Sequence, residues 1–565
     1  MTTPMTFDQA LHQALREAVE ALGVPPDQLA TLPLTFELPR IQAHGDLAAS
    51  VAMPLAKIQR RPPLEIATAL AGHLEQRLTA AGLRDRVDRL EVKPPGFLNL
   101  ILSHRALTDT LTQLLAERER YGRATVGQGT KVQVEFVSAN PTGPLSVAHG
   151  RQAAVGDALA RLLTFCGYEV TREYYLNDEG RQIERLGESL LARYLEVLGQ
   201  PSQFPEEGYK GAYLRDLAVQ VVQREGARWS AATPERAAWF SAYAAQAILE
   251  IIKQELADFS VQFDVWYSQK SLRESGKQDQ ALELLKSQGY LYEQEGDWWL
   301  KSTAFGDDKD RVVIRSDGRP TYIAADIAYH REKYRRGFQR IINLWGPDHH
   351  GYIPRMLAAI QAMGFPKESL TVLIVQLCTL RRGTEVVPMS TREGEFVTLR
   401  QVMEEVGRDA ARFFFLMRTI ESHLDFDLEL AKKAAPDNPV YYIQYAHARI
   451  AGIIVKVTAS AGRKGIEGAT PEEAARLTQP EELQLLRRLR EFPSVVQSAA
   501  RQLEPQGITR YLLSLAGEFH KFYDMHRVVT EDQVLTQARL ALVEGVRLVL
   551  ATGLGLLGVS APTTM

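Results

Sequence analysis

Cysteine is nearly missing: Cys166 and Cys378 are the only two in 565 residues. They lie far apart and form no C-x-x-C pair, which argues against a disulfide framework or a zinc knuckle and suits a reducing cytoplasm. Long apolar runs are missing as well. No stretch reaches the ~18 residues that span a membrane, so no membrane partner is expected. The polar start from Met1 to Gln9 lacks the cationic-then-apolar order of a signal peptide. An excess of positive charge is also lacking, since Lys+Arg 66 against Asp+Glu 69 leaves a net charge of −3. Global attraction to nucleic acid is therefore not indicated, and any RNA contact must come from local patches. No repeat or low-complexity tract appears. What is present is an ordinary globular composition, 45% hydrophobic and 24% charged. The chain is too long for one core, and roughly two to four domains are expected.

The stretch that organises the chain is 131–151, KVQVEFVSANPTGPLSVAHGR. Val132, Val134, Phe136 and Val137 predict a buried strand. The pairs Asn140-Pro141 and Gly143-Pro144 then break regular structure. From Val147 onward Val155, Leu159, Leu162 and Leu163 recur at helical spacing. A loop feeding a helix N-terminus offers unpaired N–H groups and a positive dipole end, which suits phosphate. His149 and Arg151 stand where that helix starts. An ordinary βα turn with a polar cap has the same pattern.

Residues 105–440 alternate strand and helix patterns, the mark of a parallel sheet covered on both faces. Val170 to Tyr175 reads as the next strand, and Leu176–Gln182 as the opening of a helix with acidic residues near its start. Residues 211–257 read as a helical insertion, and 290–318 as hairpins with a turn at Asp317-Gly318. Tyr322 and Asp326, four apart, share one face if their segment is helical. A carboxylate beside a tyrosine suits a guanidinium; spacing alone equally allows an exposed Asp and a packed Tyr. Ile341 to Trp345 reads as a buried strand whose C-terminal end carries Asp348, His349 and His350, where open α/β sheets bind ligands. Asp-His-His also invites a metal, but no fourth ligand is evident and nucleotide contact is the stronger reading.

The flanks differ from this middle. Residues 5–104 read as a small α+β domain. Leu11, Leu15, Val19 and Leu22 mark one helix and Ile66, Leu70, Leu74 and Leu78 another. A turn at Pro94-Pro95-Gly96 precedes a strand from Phe97 to Leu102. From about 437 the chain is helical, with Val440, Ile443, Ala446 and Ile450 on one face and further helices over 510–526 and 535–557. Tyr441, Tyr442 and Tyr445 suit either base stacking or packing, and a slight basic excess after 441 adds weak support for RNA. Ser460 to Pro471 reads as a flexible loop.

The wording of the central stretch closely resembles the first signature of the arginyl-tRNA synthetase family. Glu135, Ser138, Asn140, Pro141, Thr142, Gly143, Pro144, Leu145, His149, Gly150 and Arg151 all match, whereas Ser146 replaces a histidine and Ala148 a glycine. Residues 387–399, VPMSTREGEFVTL, resemble the second signature of class I synthetases, with Pro388 in place of its lysine and Thr391 and Glu393 where a second cation often stands. Arg392 is the remaining cation of that loop, with Arg381 and Arg382 upstream. Further likenesses run from Ile41–Leu47 in the N-terminal domain, which in the family contacts the outer corner of tRNA, through 409–430, to the C-terminal wording NPVYYIQYAHARI and LGLLGVSAP.

The resemblance implies a multidomain α/β protein. Residues 1–104 would be an additional tRNA-contacting domain, 105–436 a Rossmann-like parallel-sheet catalytic domain with a helical insertion, and 437–565 an all-α anticodon-binding bundle. It implies arginine–tRNA ligation: arginine and ATP form an adenylate, and arginine then passes to the 3′-terminal adenosine of tRNA(Arg), with tRNA usually needed for the first step. Glu135, Ser138, Asn140, Tyr322 and Asp326 would bind arginine. Pro141, Thr142, Gly143, His149, Gly150, Asp348 and His350 would bind ATP, and Ser146, His149, Met389, Ser390 and Arg392 would serve catalysis. Magnesium would come with ATP, without a metal or organic cofactor of the protein's own, and the chain would act as a monomer. Two competitors remain at this point: another nucleotidylyl transferase of the same fold, and a catalytically weakened synthetase-like tRNA-binding protein, which the departures at 146, 148 and 388 keep open.

Overall fold

The computed structural model describes residues 6–39, 41–387, 397–461, 466 and 468–565. At the N-terminal end, Thr6 caps the helix Phe7–Glu20 through a reciprocal capping box with Gln9. This helix packs on a second, Pro63–Ala80, through Leu11, Leu15, Leu70 and Leu74, all fully buried. Three antiparallel strands complete the unit: β1 (Leu47–Ala49), β2 (Val87–Lys93) and β3 (Phe97–Leu102), with β3 in the middle.

The central sheet begins with β4 (Lys131–Glu135), β5 (Glu169–Leu176) and β6 (Val265–Ser268). A small antiparallel sheet comes next, formed by β7 (Leu291–Gln294), β8 (Asp297–Leu300) and β9 (Arg311–Ile314). The chain then returns with β10 (Arg340–Trp345) and β11 (Leu370–Ile374). All five central strands are parallel, in the order β11-β10-β4-β5-β6. The chain therefore winds outward on one side of β4 and restarts on the other, which opens a crevice at the C-terminal ends of β4 and β10.

β4 ends at Glu135, two residues before the expected end. Val137 and Ser138 have left-handed backbone, with φ of 67° and 40°. For a β-branched residue this costs about 1–3 kcal/mol and persists only where the surroundings enforce it. Phe136, fully buried, packs over the helix Val147–Phe165. A Cβ on Gly156 would lie 2.2 Å from its ring, so only glycine permits that approach. Most of this helix is buried around its full circumference, so its inward stripe is hard to single out by period.

Between β5 and β6 the chain inserts helices Tyr213–Glu225 and Arg236–Asp258, which pack with Arg181–Val197. The acidic residues expected inside the start of that last helix lie before it. Asp178 accepts from the Ser268 hydroxyl (2.6 Å) and the Lys270 amide (3.0 Å), and Glu179 pairs with Arg273 (2.8 Å), so they brace the end of β6.

Beyond β11, β12 (Cys378–Arg382), β13 (Glu385–Val386) and β14 (Leu424–Asp427) form a small sheet with β12 central. Helices Pro439–Ala461, Pro480–Gln502, Gln506–Met525 and Gln533–Leu556 make up the C-terminal part. They hold on to the earlier chain. The Tyr121 hydroxyl donates to the Leu489 carbonyl (3.1 Å), and Asp46, within the Ile41–Leu47 stretch, pairs with Arg487 (2.9 Å). Arg412, fully buried, donates to Leu557, Phe259 and Asp157, tying the C-terminal end, the insertion and the central helix together. Among the described residues no helix is long and apolar enough to cross a membrane.

Candidate active site

Ser146 is the N-cap of the helix Val147–Phe165. Its hydroxyl accepts from the His149 amide, while the His149 ring Nδ1 accepts from the Ser146 amide at 3.2 Å. The residue that departs from the signature thus has a local reason to be serine, a strong N-cap. With Nδ1 accepting, the neutral ring carries its proton on Nε2, which makes no hydrogen bond among the described residues. Burial pushes the His149 pKa down to about 4, so at neutral pH it is an uncharged donor.

A cavity of about 640 Å³ opens beside this helix end, lined by Asn140, Thr142, Gly143, Ser146 and His149. Gln182, 206–211 and Tyr213, from the chain between β5 and β6, also line it. Asn140 donates to Gln182 (2.6 Å), and the Tyr213 hydroxyl donates to the Thr142 carbonyl (2.6 Å). Buried Glu255 holds the loop from beneath by accepting from the Leu145 amide (3.0 Å).

The second cluster lies under the ends of β4 and β10. Asp326 accepts a hydrogen bond from the Tyr352 hydroxyl at 2.6 Å and forms no ion pair among the described residues. Burial raises its pKa to about 6, against the opposing effect of the Tyr352 bond. Below it, the Glu135 carboxylate is bound by the fully buried ammonium of Lys333, which also donates to Asn343 (2.9 Å). Asn343 donates to His330 (2.8 Å), whose other nitrogen donates to the Asp326 carbonyl (2.8 Å). Lys333, His330 and Asp326 share one helix, so this network fixes the position of the carboxylate above it.

The other expected site residues differ in their surroundings. Glu135 is 6% exposed and already neutralised by Lys333, so it supports the pocket rather than offering a free charge. Ser138 bridges Glu135 (3.1 Å) and the Tyr175 amide (3.1 Å). Tyr322 is 82% exposed, and the tyrosine bonded to Asp326 is Tyr352. Pro141 and Gly150 are buried and outside the cavity wall. Gly150 instead admits Leu399, whose side chain would lie 2.7 Å from a Cβ there. Asp348 and His350 are exposed on the turn Pro347–Tyr352, apart from that wall. Arg151, expected at the helix start, is buried and donates to the carbonyls of Gln376, Leu377, Ser422 and Thr419, where it braces the turn after β11. Met389, Ser390 and Arg392 lie outside the described residues.

The two signatures nevertheless meet. The Leu399 amide, at the end of the second, donates to the Leu145 carbonyl (2.8 Å), and Ser146 and Thr398 form a bridge. Two stretches some 250 residues apart in the chain are thus paired at the mouth of the cavity wall.

Known families cover nearly the whole chain. Residues 8–102 match "Arginyl tRNA synthetase N terminal domain", 110–421 match "tRNA synthetases class I (R), catalytic domain", and 443–565 match "DALR anticodon binding domain". The chain belongs to the arginyl-tRNA synthetase family. An arginine–tRNA ligase of Desulfosudis oleivorans is 49% identical over 94% of this synthetase and 95% of its own length. One from Geobacillus kaustophilus is 46% identical over 99% of both chains. A solved structure described as a putative arginyl-tRNA synthetase of Campylobacter jejuni is 37% identical, with a TM-score of 0.75, covering 82% of this chain and all of that one. The Thermus thermophilus arginyl-tRNA synthetase shares the fold, at 24% identity and a TM-score of 0.77, over 99% of this chain and 100% of that one. Class I ligase chemistry with ATP is therefore favoured over a catalytically weakened tRNA-binding protein.

Three residues of the synthetase site escaped sequence reading. Lys333 comes seven after Asp326 on the same helix, a spacing that marks one face. Tyr352 and Tyr213 carried no such signal, since both arrive from separate elements.

Proposed function

We propose that this chain joins arginine to tRNA(Arg) in two steps. The arginine carboxylate attacks the α-phosphorus of ATP and releases pyrophosphate, leaving arginyl-adenylate. The 3′-terminal ribose hydroxyl of tRNA then attacks the activated carbonyl and releases AMP. The observation supporting this best is Asp326: a half-buried carboxylate without an ion pair among the described residues, held by Tyr352 at the switch point of the sheet. A guanidinium needs such a partner.

Asn140 and Ser138 border the same crevice and suit the rest of the amino acid. Tyr322, exposed one turn before Asp326 on the same helix, suits covering that crevice. The helix end with Ser146 and His149 faces the phosphates, and Thr142 and Gly143 the nucleotide. Asp348 and His350 suit the adenosine side. Arg392 suits the leaving pyrophosphate, and the backbone near Met389 the adenosine side. This is catalysis by positioning and charge stabilisation. Magnesium enters with ATP as part of the substrate. The protein acts as a cytoplasmic monomer, with domain limits near 104 and 436.

Aminoacylation of total tRNA with radiolabelled arginine tests this reading. Charging that requires ATP and is not supported by lysine is expected. Failure to charge, or equal charging with lysine, overturns it.

A further inference from the structure

ATP activation needs positive charge beside the β- and γ-phosphates, because charge develops there as pyrophosphate leaves. The described part of the site supplies little. Ser146 is neutral, and His149 is held uncharged by burial. Arg151 is turned inward to four carbonyls. Arg381 pairs with Asp425 (2.8 Å), and Arg382 with Glu405 and Glu429. Pro388, where the family signature has lysine, has no side-chain donor.

One cation faces the cavity from an unexpected direction. Lys210 is the only Lys or Arg among the described residues of the cavity wall, which also includes Ser146 and His149. It makes no hydrogen bond or ion pair among the described residues, although Glu206 and Glu207 line the same wall. Glu207 is taken by Arg185.

The segment bearing Lys210 is fastened on both sides. The Tyr209 amide donates to the Ser189 hydroxyl (3.0 Å), and the Tyr213 hydroxyl donates to the Thr142 carbonyl (2.6 Å) within the signature loop. The Tyr213 hydroxyl would lie 3.2 Å from a Cβ on Gly143, so the two stretches are in close contact. The backbone of Lys210 is therefore held over the cavity, while its ammonium is free to reach a ligand.

We propose that Lys210 is the catalytic cation that meets the ATP phosphates from the insertion side, in place of the charge lost at 146 and 388. This rests on the ligase reading above. It assigns the short segment 206–213 a part in the first chemical step.

The test compares full-length wild type, Lys210→Met and Lys210→Arg in arginine- and tRNA-dependent ATP–pyrophosphate exchange. Lys210→Met is expected to lower kcat on the order of 10²-fold, as for loss of one transition-state donor. The arginine KM should stay within a few-fold, inhibition by added pyrophosphate should weaken, and Lys210→Arg should restore most of the rate. Since Lys210 is exposed, an unchanged melting temperature is expected for both variants. A Lys210→Met kcat within a few-fold of wild type overturns the proposal, as does a defect confined to the tRNA KM. Wild type without arginine-dependent exchange overturns the ligase reading and this inference with it, whereas active wild type with an indifferent Lys210→Met overturns this inference alone.

Discussion

At the scale of single residues, the charge proposed to select the amino acid is Asp326. Among the described residues it forms no ion pair: Tyr352 donates to it, and Lys333 is engaged by Glu135. Asp326→Asn should therefore raise the arginine KM while leaving ATP binding nearly intact. A charge-assisted pair is worth roughly 1.5–3 kcal/mol, or about tenfold to a hundredfold. Steady-state kinetics with each substrate varied in turn will show it; an unchanged arginine KM removes Asp326 from the pocket. The raised pKa adds a pH signature. Asp326 is charged above about 6 and neutral below it, so kcat/KM for arginine should fall as the pH drops through that value. The sign is set by the carboxylate form, which alone pairs with guanidinium. His149, already neutral down to about 4, does not titrate in this window. The Asp326→Asn enzyme should lack that acid limb, and a limb that persists assigns it to another group.

At the scale of elements, the site depends on how closely the central helix approaches the strand before it. Gly156 lies against the Phe136 ring and Gly150 against Leu399. Gly156→Ala would drive a methyl into a fully buried aromatic, and overpacking of this kind costs roughly 1–3 kcal/mol. A lowered melting temperature is the expected result. Because Phe136 adjoins the strained Val137 and Ser138, the same variant should also lose activity at temperatures where it is still folded. Wild-type stability would show that the helix can shift freely at this point.

At the scale of the whole molecule, the aromatic stripe foreseen on the first C-terminal helix proves partly buried. Tyr441 stacks on Tyr445 (5.9 Å between centroids), Tyr442 and Tyr445 meet His520, and Arg449 lies over the Tyr445 and Tyr523 rings. Half-exposed stacked rings next to a guanidinium suit an RNA base. Double replacement Tyr441→Ala with Arg449→Ala should raise the tRNA KM about tenfold or more, taking ~1–3 kcal/mol per lost stack. The KM values for arginine and ATP should hold, because the cavity is built from other elements. An unaltered tRNA KM places the RNA contact elsewhere. Point replacements suit this test better than truncation after 436, since Tyr121 and Asp46 bond to the C-terminal helices and would lose their partners.

The range of each interaction sets how much of this was legible in the chain. The parallel sheet, the strand–loop–helix at 131–165, the helical insertion and the C-terminal helices are written in local period and turn chemistry, which act over a few residues. The family was readable too, because eleven residues of the first signature fall within the short segment 135–151. Neighbours of a side chain are not local. Glu135 looks like a free carboxylate until Lys333, 198 positions later, is brought beneath it. Arg151 looks like a phosphate ligand until the chain returns with the carbonyls of Gln376 and Ser422. Tyr352 displaces Tyr322 as the partner of Asp326 because the turn after β10 folds over the helix. Lys210 sits in an unremarkable polar stretch and gains its place only when Tyr213 docks on Thr142. Sequence therefore determined which elements form and which family they make. Tertiary structure decided which charges are neutralised and which face the cavity, since a charge is defined by what lies within a few ångströms of it, whatever the distance along the chain.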